Sequence, residues 1–542
     1  MNEVLKSENS SRKILVPQFL NKSSSLFVLS LYFIFVSGIN LHSQERYWIF
    51  FKDKEGVVFD PINYLDEKTI VRREILGLPI LDSTDFPVNS HYLRQVLQIT
   101  GNIKATTRWF NGVSVDVNEK QLNELLELEF VSGFEPVKKI PFTATSIVNG
   151  EFDDDKNFLL KNQLESMGGR ILTDNGLSGK NIRVAIFDGG FKNADILPEF
   201  KHLWENEQII ATYDFVRNEE NVFHAMNHGT KVLACIAGKT GDKNIGLATG
   251  AEFLLARTEV WSEKFSEEEN WLRAMEWADK NGADIVNSSL GYTYQRYFAR
   301  DMNGKNSLVA RAANMGARKG ILVINSMGND GDKPWEFVST PADADSVLAV
   351  GAIDPYKGYH ASYSSYGPTS DMRIKPNVVA FGEVITTSSR GGTRKSYGTS
   401  FAAPLVTGFA ACILELNNHL PAMKLFDEIE KSGHLYPYYD YANGYGIPQA
   451  GYFFNDKPSQ DTTFVLEVMN DSLLVKVIDS ENRSPSGLLY YHIENSKGFL
   501  SYYAVIGVKQ QIPFKISLST LKPSDTVRVH YKGFTRKFFR YD

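Results

Sequence analysis

The hydrophobic and polar positions of the first part of the chain, residues 46–137, predict a small α+β unit. Apolar residues recur at every second position in some stretches and at helical spacing in others, in the order strand, helix, strand, helix, strand. Asn118, followed three residues later by Gln121, is close to a capping box and starts the second helix. The clearest elements are predicted at residues 46–52, 91–100, 112–117 and from Asn118 onward.

Residues 138–158 predict a linker, because small, polar and acidic side chains dominate there and bury little surface. Beyond it, apolar strands and helices alternate for roughly 290 residues, which is typical of an open parallel α/β sheet. Three of the strands are predicted at 182–187, 283–287 and 320–325. We therefore expect an α/β domain over about residues 156–455, with helices on both faces of a mostly parallel sheet.

The last part of the chain, residues 460–542, changes to short alternating strands and predicts a small all-β module, expected to be a sandwich. Two apolar stretches flank Asn470-Asp471 and predict a β-hairpin. The strands of this module are expected at residues 464–469, 473–478, 488–493, 501–508 and 526–531.

A short apolar run lies near the N-terminus, from Leu26 to Val36. Basic residues precede it and small or polar residues follow it to Ser43, which is the layout of a secretory signal. The run is shorter than the ~20 residues that span a membrane. We predict a signal peptide over residues 1–43, hence a secreted or cell-surface protein, periplasmic or on the outer surface in a Gram-negative organism. An uncleaved membrane anchor is the alternative.

Composition excludes some classes of function. The 542 residues carry a formal net charge of −6 without a dense Lys/Arg block, so nucleic acid is not an expected partner. The two cysteines, Cys235 and Cys412, cannot form a disulfide framework. Both stand among apolar residues, so we expect two buried thiols, or one bridge if the helices that carry them touch.

A carboxylate follows one of the predicted strands, where Asp188 precedes Gly189 and Gly190. Active sites of open α/β sheets assemble at the carboxyl ends of strands. Acidic residues before a glycine turn are also common without any function. Asp188 alone therefore does not identify a site.

A histidine, His228, begins a predicted helix whose next residues are small enough to pack closely on the sheet. It can face a cleft, or it can simply cap the helix. His224 lies four positions earlier, which raises the possibility of zinc. The glutamate of an HExxH motif and a nearby third ligand are both missing, so no metal site is predicted.

The third candidate, Ser400, lies in the segment from Gly398 to Pro404. The glycine permits a tight turn, and Ala402 and Ala403 let a following helix pack closely. Pro404 is expected in the first helical turn, where its missing N–H has no helical partner. Ser400 would then lie at a helix N-terminus, where free N–H groups favour a developing negative charge. A serine that merely caps a helix does not account for this combination.

The order Asp188, His228, Ser400 is also that of subtilisin. On these residues the chain resembles the subtilisin-like serine peptidases, the subtilases of peptidase family S8, as a secreted, Bacteroidetes-like member. The resemblance covers about residues 163–450. It implies a subtilisin-like α/β fold for the central domain, preceded by a small α+β propeptide-like domain and followed by the β-module.

The resemblance also implies the roles of further segments. Ser289-Leu290-Gly291 resembles the segment that binds the substrate backbone and lines the specificity pocket. The segment that ends in Asn329 resembles the one whose asparagine donates to the oxyanion. The implied catalytic residues are Asp188, His228, Ser400 and Asn329, and the implied substrate-binding residues are Ser289, Leu290, Gly291, Ser326, Met327 and Gly328.

The implied activity is that of a serine endopeptidase that cleaves proteins and peptides through an acyl-enzyme. No cofactor is required for this chemistry. Structural calcium is frequent in the family, but residues 241–246 do not match a full set of oxygen ligands, so calcium stays unassigned.

Three residues depart from the family pattern. Gly189 stands where many subtilases have Ser or Thr, and Lys231 replaces a more usual uncharged residue or His. Met327 lies in the expected pocket wall and suggests a different pocket volume. The preferred side chain at the scissile bond therefore does not follow from the sequence.

The flanking domains also receive hypotheses. Residues 44–150, with the linker at their end, resemble an inhibitory propeptide that assists folding, blocks the cleft and is cut away within residues 138–158; a permanent N-terminal domain is the alternative. The β-module could serve secretion sorting, binding, or stabilisation of the catalytic domain. The rival functions for the whole chain are a peptide-binding pseudoprotease and a scaffold, and the intact catalytic residues disfavour both.

Overall fold

The computed structural model describes residues 44–137, 153–260, 266–293, 296–454, 461–478, 487–508 and 513–540. The first domain is an antiparallel sheet of four strands in the order β2-β3-β1-β4, with helices packed on it. The strands are β1 (Glu45–Phe51), β2 (Ala105–Thr107), β3 (Gly112–Val117) and β4 (Val131–Pro136). The helices are α1 (Pro61–Tyr64), α2 (Glu67–Ile75), α3 (Ser90–Thr100) and α4 (Glu119–Leu126).

The predicted elements of this domain are all present, and the capping box is formed. Asn118 Oδ1 accepts from the backbone N–H of Gln121, and Gln121 Oε1 accepts from that of Asn118. Helices α1 and α2 did not emerge from the hydrophobic pattern. Helix α2 lacks a hydrophobic pattern because it buries Arg72 and Arg73, while its apolar Val71 is exposed.

The central domain is built on a seven-stranded sheet in the order β13-β12-β11-β10-β5-β9-β6, in which every neighbouring pair is parallel. This confirms the predicted fold class. The sheet strands are β5 (Arg183–Asp188), β6 (Ile209–Asp214), β9 (Glu252–Arg257), β10 (Ile285–Ser288), β11 (Leu322–Ser326), β12 (Val347–Ile353) and β13 (Val378–Phe381). Two hairpins lie outside it: β7 (Lys239–Thr240) with β8 (Lys243–Asn244), and β14 (Glu383–Thr387) with β15 (Thr393–Tyr397).

Helices cover both faces of this sheet. One apolar core joins it to α8 and α11, and a second joins it to α9 and α10. The helix α5 begins at Asp153, so the last part of the expected linker is helical. The helices are α5 (Asp153–Glu165), α6 (Gly169–Asp174), α7 (Lys201–Glu205), α8 (His228–Ala237), α9 (Ser266–Lys280), α10 (Leu308–Arg318), α11 (Thr399–Leu416) and α12 (Ala422–Lys431).

Helix α11 runs through the core of this domain. Thr407 Oγ1 on α11 donates to Asn287 Oδ1 on β10 at 2.8 Å, which ties the helix to the middle of the sheet. By length and composition, α11 is the one helix among the described residues that could span a membrane, but most of it is buried inside the protein. It is therefore the core helix of this domain.

The two cysteines are free, buried thiols. Cys235 lies on α8 and Cys412 on α11, and these two helices do pack against each other. The bridge that the sequence left open is not formed. Cys412 Sγ instead lies 3.7 Å from the carbonyl oxygen of Leu247.

The C-terminal module is a sandwich of two antiparallel sheets with a shared apolar core. The predicted strands are present, and β20 and β22 are additional. β20 has only four residues, and β22 has no buried residue, so neither gives a clear hydrophobic pattern. One sheet contains β16 (Phe464–Met469), β17 (Ser472–Val477) and β20 (Phe514–Ser517). The other contains β18 (Leu488–Glu494), β19 (Leu500–Gly507), β21 (Thr526–Tyr531) and β22 (Phe534–Phe539).

The module is joined to the central domain through buried polar and aromatic groups. His492 Nδ1 lies 2.6 Å from the carbonyl oxygen of Tyr439, and Arg528 donates to the carbonyl of Pro437 at 2.5 Å. Tyr438, which is fully buried, packs against Tyr490 of the module. Contacts of this kind favour the hypothesis that the module stabilises the central domain.

Candidate active site

Asp188 ends β5 and is fully buried. Its Oδ1 accepts from the N–H of Gly189 at 2.7 Å, and its Oδ2 lies 2.8 Å from Nδ1 of His228. Hydrogen bonds of this kind, one to each carboxylate oxygen, stabilise a buried carboxylate. With Nδ1 directed at the carboxylate, the Nε2 of His228 is left for another partner.

His228 is the first residue of α8, and its side chain keeps 29% of its surface exposed. The start of α8 is pressed against the end of β5 because the next residue is glycine. A Cβ at Gly229 would lie 2.7 Å from the carbonyl oxygen of Gly190 and 2.9 Å from Cβ of Asp188. The small residue that follows His228 therefore lets α8 approach the end of β5, which brings the imidazole to Asp188.

Ser400 is the second residue of α11, and Gly398 at the N-cap has φ 137°, a region that favours glycine. The Oγ of Ser400 donates to the carbonyl oxygen of Ser289 at 3.3 Å. The ring of the next residue, Phe401, lies 5.4 Å from the ring of His228, between centroids. The helix start thus places Phe401, the residue after the serine, against the imidazole that pairs with Asp188.

The predicted position of Pro404 is wrong. Helix α11 begins at Thr399, so Pro404 lies inside the helix, in its second turn. Its missing N–H leaves the carbonyl oxygen of Ser400 without a helical donor. Ser289 Oγ donates to that oxygen at 2.9 Å instead. The proline therefore lets Ser289 hold the main chain of Ser400, while the carbonyl of Ser289 receives the serine's hydroxyl.

Asn329 follows β11 and is oriented by Thr399, the residue before the serine. Its Oδ1 accepts from the N–H of Thr399 at 2.9 Å and from Thr399 Oγ1 at 3.0 Å. Its Nδ2 would lie 3.5 Å from a Cβ built on Gly398. The amide is thus held with its acceptor engaged and its donor beside the turn that carries Ser400.

The other predicted substrate-binding residues form two adjacent main-chain segments. Nδ2 of Asn325 donates to the carbonyl of Leu290 at 2.9 Å and to that of Ser326 at 2.8 Å, which joins the segments. Only glycine fits at two positions of these segments. A Cβ at Gly291 would overlap Ser339 Oγ, and a Cβ at Gly328 would lie 2.7 Å from Ser365 Oγ. These glycines allow the close approach of neighbouring loops.

Comparison with protein families agrees with this geometry. The profile described as "Subtilase family" matches residues 179–446. A second profile, "Peptidase S8 propeptide domain, Bacteroidota", matches residues 46–150. The chain belongs to the subtilase family. It is accordingly a serine-type endopeptidase, and its first domain is a peptidase S8 propeptide domain.

Individual relatives of this subtilase are distant. Subtilisin NAT of Bacillus subtilis subsp. natto is 26% identical over 337 residues, which cover 61% of this chain and 78% of the relative. Among solved structures, fervidolysin from Fervidobacterium pennivorans has a TM-score of 0.53 at 18% identity, covering 90% of this chain and 70% of that one. The epidermin leader peptide processing protease of Staphylococcus aureus has a TM-score of 0.52 at 14% identity, covering 75% and 98%. The structural neighbours agree in fold.

The side chain of Met327 does not lie where the wall of a specificity pocket was expected in this subtilase. Its side chain is fully buried in a small apolar cluster that includes Trp335, Val338 and Met302. Its backbone N–H donates to Val350, and its carbonyl accepts from Ser339. The side chain therefore packs beneath the segment that carries Asn329.

Two groups near the site were not found from the sequence. Asn325 holds both substrate-binding segments, but an amide inside an apolar strand gives no pattern of its own. Met226, two residues before His228, fills the space beside Gly189, where many family members carry a hydroxyl side chain. A Cβ at Gly189 would lie 2.7 Å from Met226 Sδ. The departure at Gly189 is thus matched by a bulky neighbour.

The exchange Gly189→Ser is expected to destabilise the protein by about 0.5–1.5 kcal/mol, because the thioether of Met226 must move to make room for the new Cβ. Adding Met226→Ala should recover much of this loss, because it removes the thioether that the new Cβ meets. Urea unfolding of both single variants and the double variant, each in a Ser400→Ala background, measures the coupling. Strictly additive effects would show that the two residues do not share this space.

His224 contacts a different carboxylate from the one that His228 contacts. Its Nε2 lies instead 3.7 Å from Asp214 Oδ2 and 3.6 Å from Glu219 Oε1. This group lies at the end of β6, separate from the three catalytic candidates.

Proposed function

We propose that this subtilase hydrolyses peptide bonds with Asp188, His228 and Ser400, and that it does so as an exported enzyme. The observation that carries the catalytic proposal is the 2.8 Å contact between His228 Nδ1 and the buried Asp188, next to a serine at the start of α11. Export is supported by the apolar run from Leu26 to Val36 and its basic flank, which lie outside the described residues.

In the proposed mechanism His228 Nε2 removes the proton of Ser400 Oγ as that oxygen bonds to the scissile carbonyl carbon. The tetrahedral intermediate expels the amine, which receives the proton from the imidazolium, and an acyl-enzyme remains. Water then repeats the sequence and releases the acid. Asp188 stays ionised and stabilises the imidazolium. When substrate binds, the hydroxyl of Ser400 exchanges its hydrogen bond to the carbonyl of Ser289 for one to the imidazole of His228. Catalytic hydrogen bonds often form only in the substrate complex.

The oxyanion is proposed to accept from Nδ2 of Asn329 and from the backbone N–H of Ser400. Near the start of a helix the N–H groups lack intrahelical acceptors, which leaves the N–H of Ser400 available. Thr399 holds the amide of Asn329 in one orientation, so little reorganisation is needed when charge develops. No cofactor is needed for this chemistry; calcium stays unassigned.

The variant Asn329→Ala is expected to lower kcat by about 10²–10³, the loss seen when the equivalent donor of subtilisin is removed. KM should change little, because the donor acts mainly on the developing charge. Peptide hydrolysis by the matured enzyme measures both constants, with Asn418→Ala, an exposed residue of the turn after α11, as the control. Near-full turnover would disprove the oxyanion assignment.

We propose that the enzyme binds protein or peptide substrates and its own propeptide. Nucleic acid is not a proposed partner, and a membrane is one only if the anchor stays uncleaved. The propeptide domain packs on α9 and α10, where Glu135 of β4 pairs with Arg311 at 2.6 Å and Glu276 accepts from the N–H of Trp109 at 3.1 Å. Strand β4 leads directly into residues 138–158, where cleavage is proposed. Residues 138–152 of this segment lie outside the described part of the chain.

Labelling with an organophosphonate serine probe tests the proposed function. We expect a single covalent adduct on Ser400 in the processed, propeptide-free protein, and none in Ser400→Ala. A pseudoprotease or a scaffold would not be labelled, because an unactivated serine hydroxyl does not react. Absence of labelling in the processed protein would refute the proposed catalytic function.

A further inference from the structure

The substrate segment, residues 289–291, is expected from the sequence to bind the peptide, and a buried aromatic residue follows it at once. Gly291 is exposed, whereas Tyr292 is only 3% exposed and belongs to the apolar core that α9 and α10 share with the sheet. The N–H of Tyr292 donates to the carbonyl of Thr340 at 2.9 Å, and its carbonyl accepts from the N–H of Thr340 at 3.1 Å. Tyr292 therefore fixes the end of the substrate segment to the body of the domain.

A buried arginine packs on the ring of Tyr292. The guanidinium carbon of Arg296 lies 4.6 Å from the centre of that ring, and Arg296 is only 7% exposed. Its Nη2 donates to Glu267 Oε2 at 2.8 Å, and its Nη1 donates to Glu268 Oε1 at 3.2 Å. Both glutamates lie in the first turn of α9, where negative charge is favourable. Arg296 thus joins Tyr292 to the start of α9.

The hydroxyl of Tyr292 bonds to a third carboxylate, which lies on the other side of β5. It donates to Oε1 of Glu259, two residues after the end of β9. Strands β9 and β10 are the two neighbours of β5 in the sheet, and Asp188 ends β5. The hydrogen bond therefore joins the segments that leave the sheet on either side of this strand end. Burial, together with the carboxylate of Glu259, raises the pKa of Tyr292, so the hydroxyl stays protonated and donates.

The charge of Arg296 holds this group of side chains together. Burial by itself would lower the pKa of Arg296, but Glu268 and the other neighbouring acidic groups raise it, so the guanidinium stays charged. Glu267 is fully buried. Without the guanidinium, Glu267 and Glu268 would repel each other, and Glu267 would stay buried with too little positive charge. We expect the start of α9 and Tyr292 to move apart in that case.

The other residues of the substrate segment are held from the side of the catalytic serine. Ser289 Oγ donates to the carbonyl of Ser400, and the carbonyl of Leu290 accepts from Asn325. Gly291 has no side chain that could anchor it. The position of its main chain therefore depends on the next residue, Tyr292, and on the groups that hold Tyr292 in place.

We propose that Arg296 is a positioning residue for substrate binding, which acts through Tyr292 on the far end of the substrate segment. It does not touch the reacting atoms, so it contributes to the binding of an extended peptide and not to bond cleavage. Contacts that are equal in the ground state and the transition state lower KM without raising kcat. The proposal rests on the proposed peptidase function and on the assignment of residues 289–291 to the substrate.

Steady-state hydrolysis of an extended peptide by the processed Arg296→Met variant tests this role. Methionine keeps an apolar contact with Tyr292 but removes the charge and the donors. We expect KM to rise about tenfold while kcat stays within about twofold of the parent, because uniform binding is lost. The rate of labelling by a small organophosphonate probe should not change, since the probe reacts at Ser400 without occupying the substrate segment.

Two conservative variants separate the parts of the interaction. Arg296→Lys keeps the charge but not the planar pair of donors, so it should recover part of the loss in KM. Tyr292→Phe removes only the hydroxyl that bonds to Glu259, and it should raise KM by a smaller factor than Arg296→Met does. Thermal melts of all variants measure their stability separately.

Arg528→Met is the matched control. Arg528 belongs to the C-terminal module, is 8% exposed, pairs with Glu494 at 2.7 Å and lies 5.4 Å from the ring centre of Tyr439. The same kind of buried pair on a tyrosine ring is therefore lost outside the catalytic domain. This variant should lower Tm, as Arg296→Met does, and leave KM unchanged.

Three results would overturn the proposal. An unchanged KM in Arg296→Met would do so, and if that variant yields no processed enzyme, an unchanged KM in Tyr292→Phe decides in its place. An equal rise in KM for Arg528→Met would show that the effect follows stability alone. A fall of kcat and of the labelling rate, with KM constant, would place Arg296 in the support of the triad instead. Absence of labelling in the parent would remove the proposed peptidase function and this proposal with it.

Discussion

Replacing Ser400 by alanine is expected to lower kcat by about 10⁶, close to the loss known for the nucleophile of subtilisin. Without Oγ no acyl-enzyme forms, and only the oxyanion donors and substrate binding remain to accelerate direct attack by water. The fold should persist, because the hydroxyl makes one long contact, at 3.3 Å to Ser289. Peptide hydrolysis and a thermal melt measure the two effects.

The same variant tests whether the propeptide is removed by self-cleavage. Purified Ser400→Ala should keep its propeptide attached, while the parent and the control Ser370→Ala, an exposed serine of the same domain, should release it. Intact-mass measurement distinguishes the two forms. Efficient processing of Ser400→Ala during expression would mean that another protease does the cutting, and residual turnover above about one hundredth would refute the role of Ser400 itself.

The exchange Asp279→Ala is expected to reduce the free energy of unfolding of the unprocessed protein by about 3–5 kcal/mol, as happens when one partner of a buried ion pair is removed. Asp279 lies on α9 and is fully buried. Three propeptide guanidinium groups bond to its carboxylate: those of Arg72 at 2.8 Å, Arg73 at 2.9 Å and Arg108 at 3.1 Å. Without Asp279 these cations stay buried with too little negative charge.

A second carboxylate completes this network. Asp85 of the propeptide accepts from Arg73 at 2.8 Å, and Lys319 of the catalytic domain lies 3.1 Å from it. Burial by itself would raise the pKa of Asp85, but the hydrogen bond from Arg73 and the neighbouring cations lower that pKa well below its usual range. Asp85 therefore stays ionised, and it cannot replace Asp279 for all three arginines.

Urea unfolding in the Ser400→Ala background, which keeps the propeptide attached, measures the loss caused by Asp279→Ala. Glu205→Ala is the control. It breaks the exposed i,i+4 pair of Glu205 with Lys201, and such pairs contribute only about 0.3–0.5 kcal/mol. A loss below about 1 kcal/mol for Asp279→Ala would show that the buried network does not hold the propeptide in place.

Much of the site could be predicted because each part has a local signature. Gly398 before the serine is required by its φ of 137°, and the glycines after His228 and Asp188 are required by close contacts, since a Cβ would lie 2.7 Å from its neighbour at Gly229 and 2.8 Å at Gly190. The alternation of strands and helices likewise predicted the parallel sheet. These sequence patterns involve only neighbouring residues, so they can be recognised without knowledge of the fold.

Other features had no such signal. Helix α2 was missed because Arg72 and Arg73 are buried against a carboxylate more than two hundred positions away in the chain. The position of Pro404 in the helix was predicted wrongly, because the proline frees the carbonyl of Ser400 for Ser289. Ser289 follows a strand that is distant in the sequence. Met327 was expected near the substrate, but its side chain meets a cluster that forms only when distant loops fold back.

The sequence by itself determined the family, the sheet, and the triad Asp188, His228 and Ser400 as candidates, because glycine, small-residue and hydrophobic patterns are local constraints on the backbone. Only the tertiary structure decided that Met226 fills the space beside Gly189, that three arginines share one carboxylate, and that His224 meets Asp214 rather than His228. These are contacts between side chains far apart in the chain or across a turn, and their distances depend on how the strands and loops pack.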